Sequence, residues 1–159
     1  YYHHPPSENF RGFESYVDSY DDDAMRWTAK HTEYNDSVVV VGDASEWLPV
    51  IANRTTEVVV RGTEFQSPQH RQRQAKIRDR LTGCLDIQCL AEKTQQFNLS
   101  SKYLYIPKDG HVLNKQRGEI AKLRWARLSA GANASDPDCI AYQNDEVIIL
   151  DTRCVKQKY

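Results

Sequence analysis

Apolar residues come in short blocks separated by long polar stretches, and the blocks differ in kind. Ser37-Val38-Val39-Val40-Val41-Gly42-Asp43 holds an unbroken β-branched run of four valines, too short for a helix, and predicts a strand buried on both faces. Glu57-Val58-Val59-Val60 predicts a second short strand and Lys102-Tyr103-Leu104-Tyr105-Ile106 a third. Between the second and third the pattern suits helices over residues 69–81 and 86–95, and before the first strand one starting at Asp21-Asp22-Asp23 and running through Met25 to about His31. The acidic triplet Asp21-Asp22-Asp23 suits the start of that first helix, because carboxylates cap open amides and complement the positive end of the dipole. Residues 45–52 read as a short helical turn, 119–128 as helical, and 131–137 as loop. At the end, Cys139-Ile140-Ala141-Tyr142 and Glu146-Val147-Ile148-Ile149-Leu150 flank the turn residues Gln143-Asn144-Asp145, a hairpin signal. The sum is an α/β fold: a mixed β-sheet flanked by helices, with a C-terminal antiparallel hairpin.

Length and charge narrow the classes. The 159 residues suit one α/β soluble domain, read as 21–159, preceded over 1–20 by an aromatic segment holding Pro5-Pro6 that is expected to be a membrane-proximal lead-in. A net charge of −1 argues against a nucleic-acid partner, which needs a basic surplus to displace counterions. The basic residues Arg71, Arg73, Lys76, Arg78 and Arg80 scatter around their helix and read as a solvated face. No stretch approaches the roughly 18 apolar residues of a membrane helix. The start, Tyr1-Tyr2-His3-His4-Pro5-Pro6, has neither an initiator Met nor an apolar leader, so the chain is expected to be a fragment or a processed form.

Cys84, Cys89, Cys139 and Cys154 allow three disulfide pairings. Free buried thiols and a zinc site are the competing readings. Zinc is disfavoured because no Cys-x-x-Cys occurs and His3, His4, His31, His70 and His111 sit near none of the cysteines. Local pairing, Cys84 with Cys89 and Cys139 with Cys154, is the expectation. A symmetric turn at Asn144-Asp145 sets Cys139 opposite Leu150, so the second bond needs a bulge or a splayed end. Asn-x-Ser/Thr triplets at Asn35, Asn53, Asn98 and Asn133 are candidate N-glycosylation acceptors. Asn and Ser/Thr also share loops because both favour turns. With paired cysteines, the sequons favour an extracytoplasmic location.

Candidate chemistry is sparse. A buried strand ending in Gly42-Asp43 before a helical turn is where α/β proteins place ligands, yet no Gly-x-Gly-x-x-Gly cradle follows it. Asp43 and Glu46 read equally as caps of their own turn, and Trp47 reads as core. There is no Gly-x-Ser-x-Gly elbow, His-Glu-x-x-His or Walker loop, and neither a cofactor nor a metal is expected.

Several pieces nevertheless follow one another in a recognisable order: Trp27; Asn35-Asp36-Ser37-Val38-Val39-Val40; Glu46-Trp47-Leu48-Pro49; Arg54-Thr55-Thr56; Arg61-Gly62-Thr63-Glu64-Phe65; and Tyr142-Gln143-Asn144-Asp145-Glu146-Val147-Ile148-Ile149-Leu150. The series resembles the extracytoplasmic C-terminal domain of polytopic membrane glycosyltransferases of the dolichyl-phosphate mannosyltransferase and oligosaccharyltransferase-like superfamily. That resemblance implies an upstream membrane-embedded half using a polyprenyl-phosphate sugar donor. It also implies an accessory or acceptor-side role for this domain, anchored at the extracytoplasmic face and facing a glycan or protein acceptor. The chain lacks the Trp-Trp-Asp-Tyr-Gly motif of oligosaccharyltransferases, and catalytic residues are not expected within it. Its ligand-facing loops are expected to carry Asp43, Glu46, Trp47, Arg54, Arg61 and Glu64. A free-standing secreted glycan- or protein-binding module is the alternative, and an α/β enzyme with a cleft after Val41 is a third reading.

Overall fold

Alternation along the central strands sorts their side chains to two faces, and each face is covered by helices. The computed structural model describes residues 17–58, 65–108, 115–134 and 137–159. In chain order the elements are α1 (Ser19–His31), β1 (Ser37–Val40), a 3₁₀ turn (Asp43–Glu46), α2 (Leu48–Ala52), β2 (Thr55–Thr56), α3 (Pro68–Thr82), α4 (Ile87–Gln96) and β3 (Tyr103–Pro107). Then follow α5 (Lys115–Ala134), a second 3₁₀ turn (Pro137–Cys139), β4 (Ile140–Gln143), β5 (Val147–Asp151) and α6 (Thr152–Lys158).

The strands order as β2-β1-β3-β5-β4 in one mixed sheet. β2 and β3 run parallel to β1 on its two sides, while β5 is antiparallel to both β3 and β4. Val38, Val40, Tyr103, Tyr105, Val147 and Ile149 pack with Ala24 and Met25 of α1 and Leu48 and Ala52 of α2. The intervening residues Val39, Leu104, Ile106, Ile148 and Leu150 pack with Ile77, Leu81, Leu90, Leu128 and Val155 from the other four helices. The period of two thus yields a three-layer α/β/α sandwich with a core on each side. No helix among the described residues is long and apolar enough to cross a membrane.

Several sequence expectations need correction in their boundaries. α1 is capped by Asp18, whose side chain accepts from the amides of Tyr20 and Asp21 at 2.8 and 3.0 Å, so the acidic triplet lies inside the helix. β2 pairs through Thr55 and Thr56, ahead of the expected start at Glu57, because Ser37 and Val38 of β1 set its register; the Glu57 amide still donates to the Val38 carbonyl, and Val59 and Val60 lie outside the described residues. Residues 131–134, expected as loop, continue α5, where alternating alanines outweigh Gly131. No helix is expected after the hairpin, yet α6 forms there. It starts at Asp151, whose carboxylate accepts from the amides of Arg153 and Cys154.

The hairpin forms where expected. Asn144 organises it by accepting through Oδ1 from the amides of Glu146 and Val147 at 3.0 and 2.7 Å. The register shifts between Ile140 and Tyr142, and α6 folds back, which together bring Cys139 to Cys154. Both local disulfides form, with Cα separations of 5.4 Å for Cys84–Cys89 and 5.3 Å for Cys139–Cys154. The first fastens the end of α3 to α4, and the second fastens the turn before β4 to α6.

Candidate functional site

The chain leaves β1 for β2 on one side, through α2, and later enters β3 on the other side through α3 and α4. This reversal creates a switch point outside the carboxyl ends of β1 and β3, the place where open α/β sheets leave a crevice for ligands. Gly42 sits there at φ 145°, a conformation open to glycine and strained for other residues. Its turn delivers the backbone of Asp43 to Glu46 into one 3₁₀ turn over the strand end. Ser45 in that turn is buried, and its hydroxyl has no hydrogen-bond partner among the described residues.

Below this edge lies a polar pair embedded in the core. Tyr105, opposite Val40 in the sheet, donates its hydroxyl to Oδ1 of Asp21 at 2.5 Å, and both residues are buried. Burial, reinforced by the Asp21 carboxylate, pushes the Tyr105 phenol well above its ordinary value. Tyr105 is therefore a fixed donor at physiological pH, which suits holding α1 on the sheet better than moving protons. Just past the end of β3, Lys108 donates to Glu146 at 2.9 Å across the β3–β5 end.

The ligand-facing residues expected from sequence do not all meet. The backbones of Asp43 and Glu46 stand at the switch point, and Trp47 follows them. Trp47 corrects the core reading: it is 40% exposed, because the next residue, Leu48, takes the buried position. Val50, one turn on, is also exposed. Arg61 and Glu64 lie outside the described residues. Arg54 stands before β2, at the opposite end of the sheet. Its guanidinium donates to the Thr32 hydroxyl and to the carbonyls of Ala29, Thr32, Ala52 and Asn53.

Arg54 thus closes the C-terminal end of α1, where a cation also meets the negative end of the dipole. Arg54→Ala is expected to destabilise the 159-residue chain by about 2 kcal/mol, since carbonyls of α1 lose their donors. Arg54→Lys should recover less than half of that, because an ammonium cannot span the acceptors as a fork does. Urea denaturation checks both, and equal stability of Lys and Ala variants with wild type would refute the role.

Two residues escaped the sequence reading. Glu57 accepts from the amides of Ser100 and Ser101 and from the Ser101 hydroxyl, tying the end of β2 to the segment entering β3. Arg124 of α5 is buried and donates to the carbonyls of Thr82 and Cys84 at 2.9 and 3.4 Å. Burial pushes its guanidinium down to about 10. Neither has a local sequence signal, since each acts on a segment 40 or more residues away. The basic residues of α3 behave as expected from their scatter: Gln74, Ile77 and Leu81 face inward, while Arg71, Arg73, Lys76 and Arg80 are exposed.

The sequence matches no family model and no curated protein. Among solved structures the chain is similar to the C-terminal globular domain of oligosaccharyltransferase from Archaeoglobus fulgidus, with 12% identity and a TM-score of 0.48 over 85% of this chain and 97% of that one.

Proposed function

We propose that this chain is an extracytoplasmic domain of a membrane-bound, glycosyltransferase-like protein with a lipid-linked sugar donor, and that it serves the acceptor side or supports the membrane half. The observation that carries the location is the pairing of all four cysteines, since such bonds persist where cytosolic reductants do not reach. The ordered sequence pieces support the glycosyltransferase setting. Those within the described residues fall, in chain order, on α1, the turn into β1, the turn into α2, the entry to β2 and the closing hairpin; residues 61–64 lie outside the described residues. The two branches of that superfamily share a polyprenyl-phosphate donor used at an extracytoplasmic membrane face. The upstream membrane half is the partner, and of the six expected ligand-facing residues Asp43, Glu46, Trp47, Arg61 and Glu64 face the acceptor, while Arg54 serves the end of α1.

The test uses the full-length protein in its own membranes with a polyprenyl-phosphate sugar donor. Sugar transfer is expected from the full-length protein and not from residues 1–159 alone. Asp43→Arg with Glu46→Arg should raise the acceptor KM several-fold and keep kcat within about twofold, the pattern of lost uniform binding. Loss of kcat on Asp43→Ala would move chemistry onto this domain and overturn the accessory role. A coding region upstream of Tyr1 without membrane helices would overturn the membrane setting.

A further inference from the structure

Three of the four sequon asparagines lie in the connections that enter the parallel strands. Asn35 is in the turn between α1 and β1, Asn53 ends α2 just before β2, and Asn98 follows α4 on the way to β3. Because β1, β2 and β3 run in one direction, their entries share one end of the sheet, opposite the switch point. Side-chain contacts draw these connections together. Lys102 donates to the His31 carbonyl at 2.8 Å and pairs with Asp36 at 3.5 Å, the Ser37 and Ser101 hydroxyls meet at 3.0 Å, and Arg54 reaches Thr32 at 2.8 Å.

The asparagines themselves are left open. All three are exposed, and among the described residues none of their side-chain amides makes a hydrogen bond. Asn144, which belongs to no sequon, is the contrast. Its side chain donates to the Tyr20 carbonyl and the Tyr142 hydroxyl and accepts from two amides. Turn chemistry accounts for part of the pattern, since Asn53 and Asn98 both adopt φ 52°, a left-handed conformation that favours Asn. It does not account for the hydroxyl two residues on. At two of the three sites, Thr55 and Ser100 are exposed and their hydroxyls are likewise without an internal partner among the described residues, whereas Ser37 of the Asn35 site is half-buried and meets Ser101.

We infer that this end of the domain is a glycan-bearing pole, with Asn35, Asn53 and Asn98 as acceptors for a polyprenyl-pyrophosphate-linked oligosaccharide. In the transfer, the side-chain amide nitrogen bonds to the anomeric carbon of the sugar. The bond from that carbon to the pyrophosphate oxygen breaks, the polyprenyl pyrophosphate leaves with the electron pair, and the amide proton passes to a base of the transferase. Bulky glycans at this pole exclude protein contact there and leave the switch-point edge free to dock. The inference rests on the extracytoplasmic placement proposed above and on no catalytic role for the chain.

The experiment is peptide mapping by mass spectrometry of the full-length protein, purified from its own membranes and digested without reduction. Glycan mass is expected on at least two of the three peptides bearing Asn35, Asn53 and Asn98. Thr55→Ala and Ser100→Ala should abolish it at Asn53 and Asn98 while keeping the left-handed asparagines. Modification at one site or none overturns the pole, as does glycan persisting in the Ala variants. The same digest separates the two ideas. Oxidised cysteines with bare asparagines refute the pole and leave the location standing, whereas reduced cysteines with bare asparagines refute both.

Discussion

Complete reduction of the two disulfides is expected to lower the stability of the 159-residue chain by about 5 kcal/mol. On the chain-entropy estimate, the bond closing 15 residues between Cys139 and Cys154 contributes about 3 kcal/mol, and the one closing 5 residues between Cys84 and Cys89 about 2 kcal/mol. The larger effect also has a structural reason. β4 is an edge strand with a register shift near its start, so it holds to β5 by a short ladder. Cys139–Cys154 fastens that weak start to α6, whose Val155 is in the core. Cys84–Cys89 instead ties two helices that already share packed residues, Leu81 and Leu90 among them. For a domain of this size the sum corresponds to a fall in Tm of roughly 10–20 °C. Thermal melts of the oxidised protein and of the reduced, alkylated protein measure it. The paired variants Cys139→Ala/Cys154→Ala and Cys84→Ala/Cys89→Ala apportion it without burying a new hydroxyl. A fully reduced protein melting within about 2 °C of the oxidised one would refute the expectation.

What could be read from the sequence was whatever depends on neighbours along the chain. The valine run, the polar helix with its few inward positions, the hairpin turn and the local cysteine pairs each carry their own signal within about 15 residues. Elements fixed by distant partners were read poorly. β2 has its register set by β1, so its pairing at Thr55 and Thr56 carries no signal of its own ahead of Glu57. Trp47 is displaced from the core by Leu48, a choice that periodicity over five residues cannot make. Arg54 looked like a loop cation available to ligand because nothing near it in sequence reveals that α1, more than 20 residues earlier, ends at its guanidinium. The switch point was legible as Gly42-Asp43 after a strand, but Tyr105 and Asp21 beneath it were not. They lie 84 residues apart and meet only once β3 has paired with β1.

That pair yields the second large effect. Tyr105→Phe removes a donor from a carboxylate that is 1% exposed, and is expected to cost about 2–3 kcal/mol. Asp21→Ala should cost a similar amount, because the Tyr105 hydroxyl keeps only the long contact to the Asp21 carbonyl at 3.4 Å. The double variant should lose at least 1 kcal/mol less than the sum, the mark of two groups acting on each other. Urea denaturation of the four proteins decides it, and additivity within about 0.3 kcal/mol would show that the pair is not coupled. Alkaline pH offers an independent check. The unfolded phenol titrates near 10, while the folded one is held higher by burial and Asp21. Above pH 10 the unfolded chain therefore sheds a proton that the native state keeps, so this group's contribution falls by about 1.4 kcal/mol for each further pH unit. Tyr105→Phe lacks the group that changes protonation on unfolding, so its stability should fall less steeply than wild type between pH 10 and 11. Parallel slopes for the two proteins would mean that Tyr105 is not shielded as its burial requires.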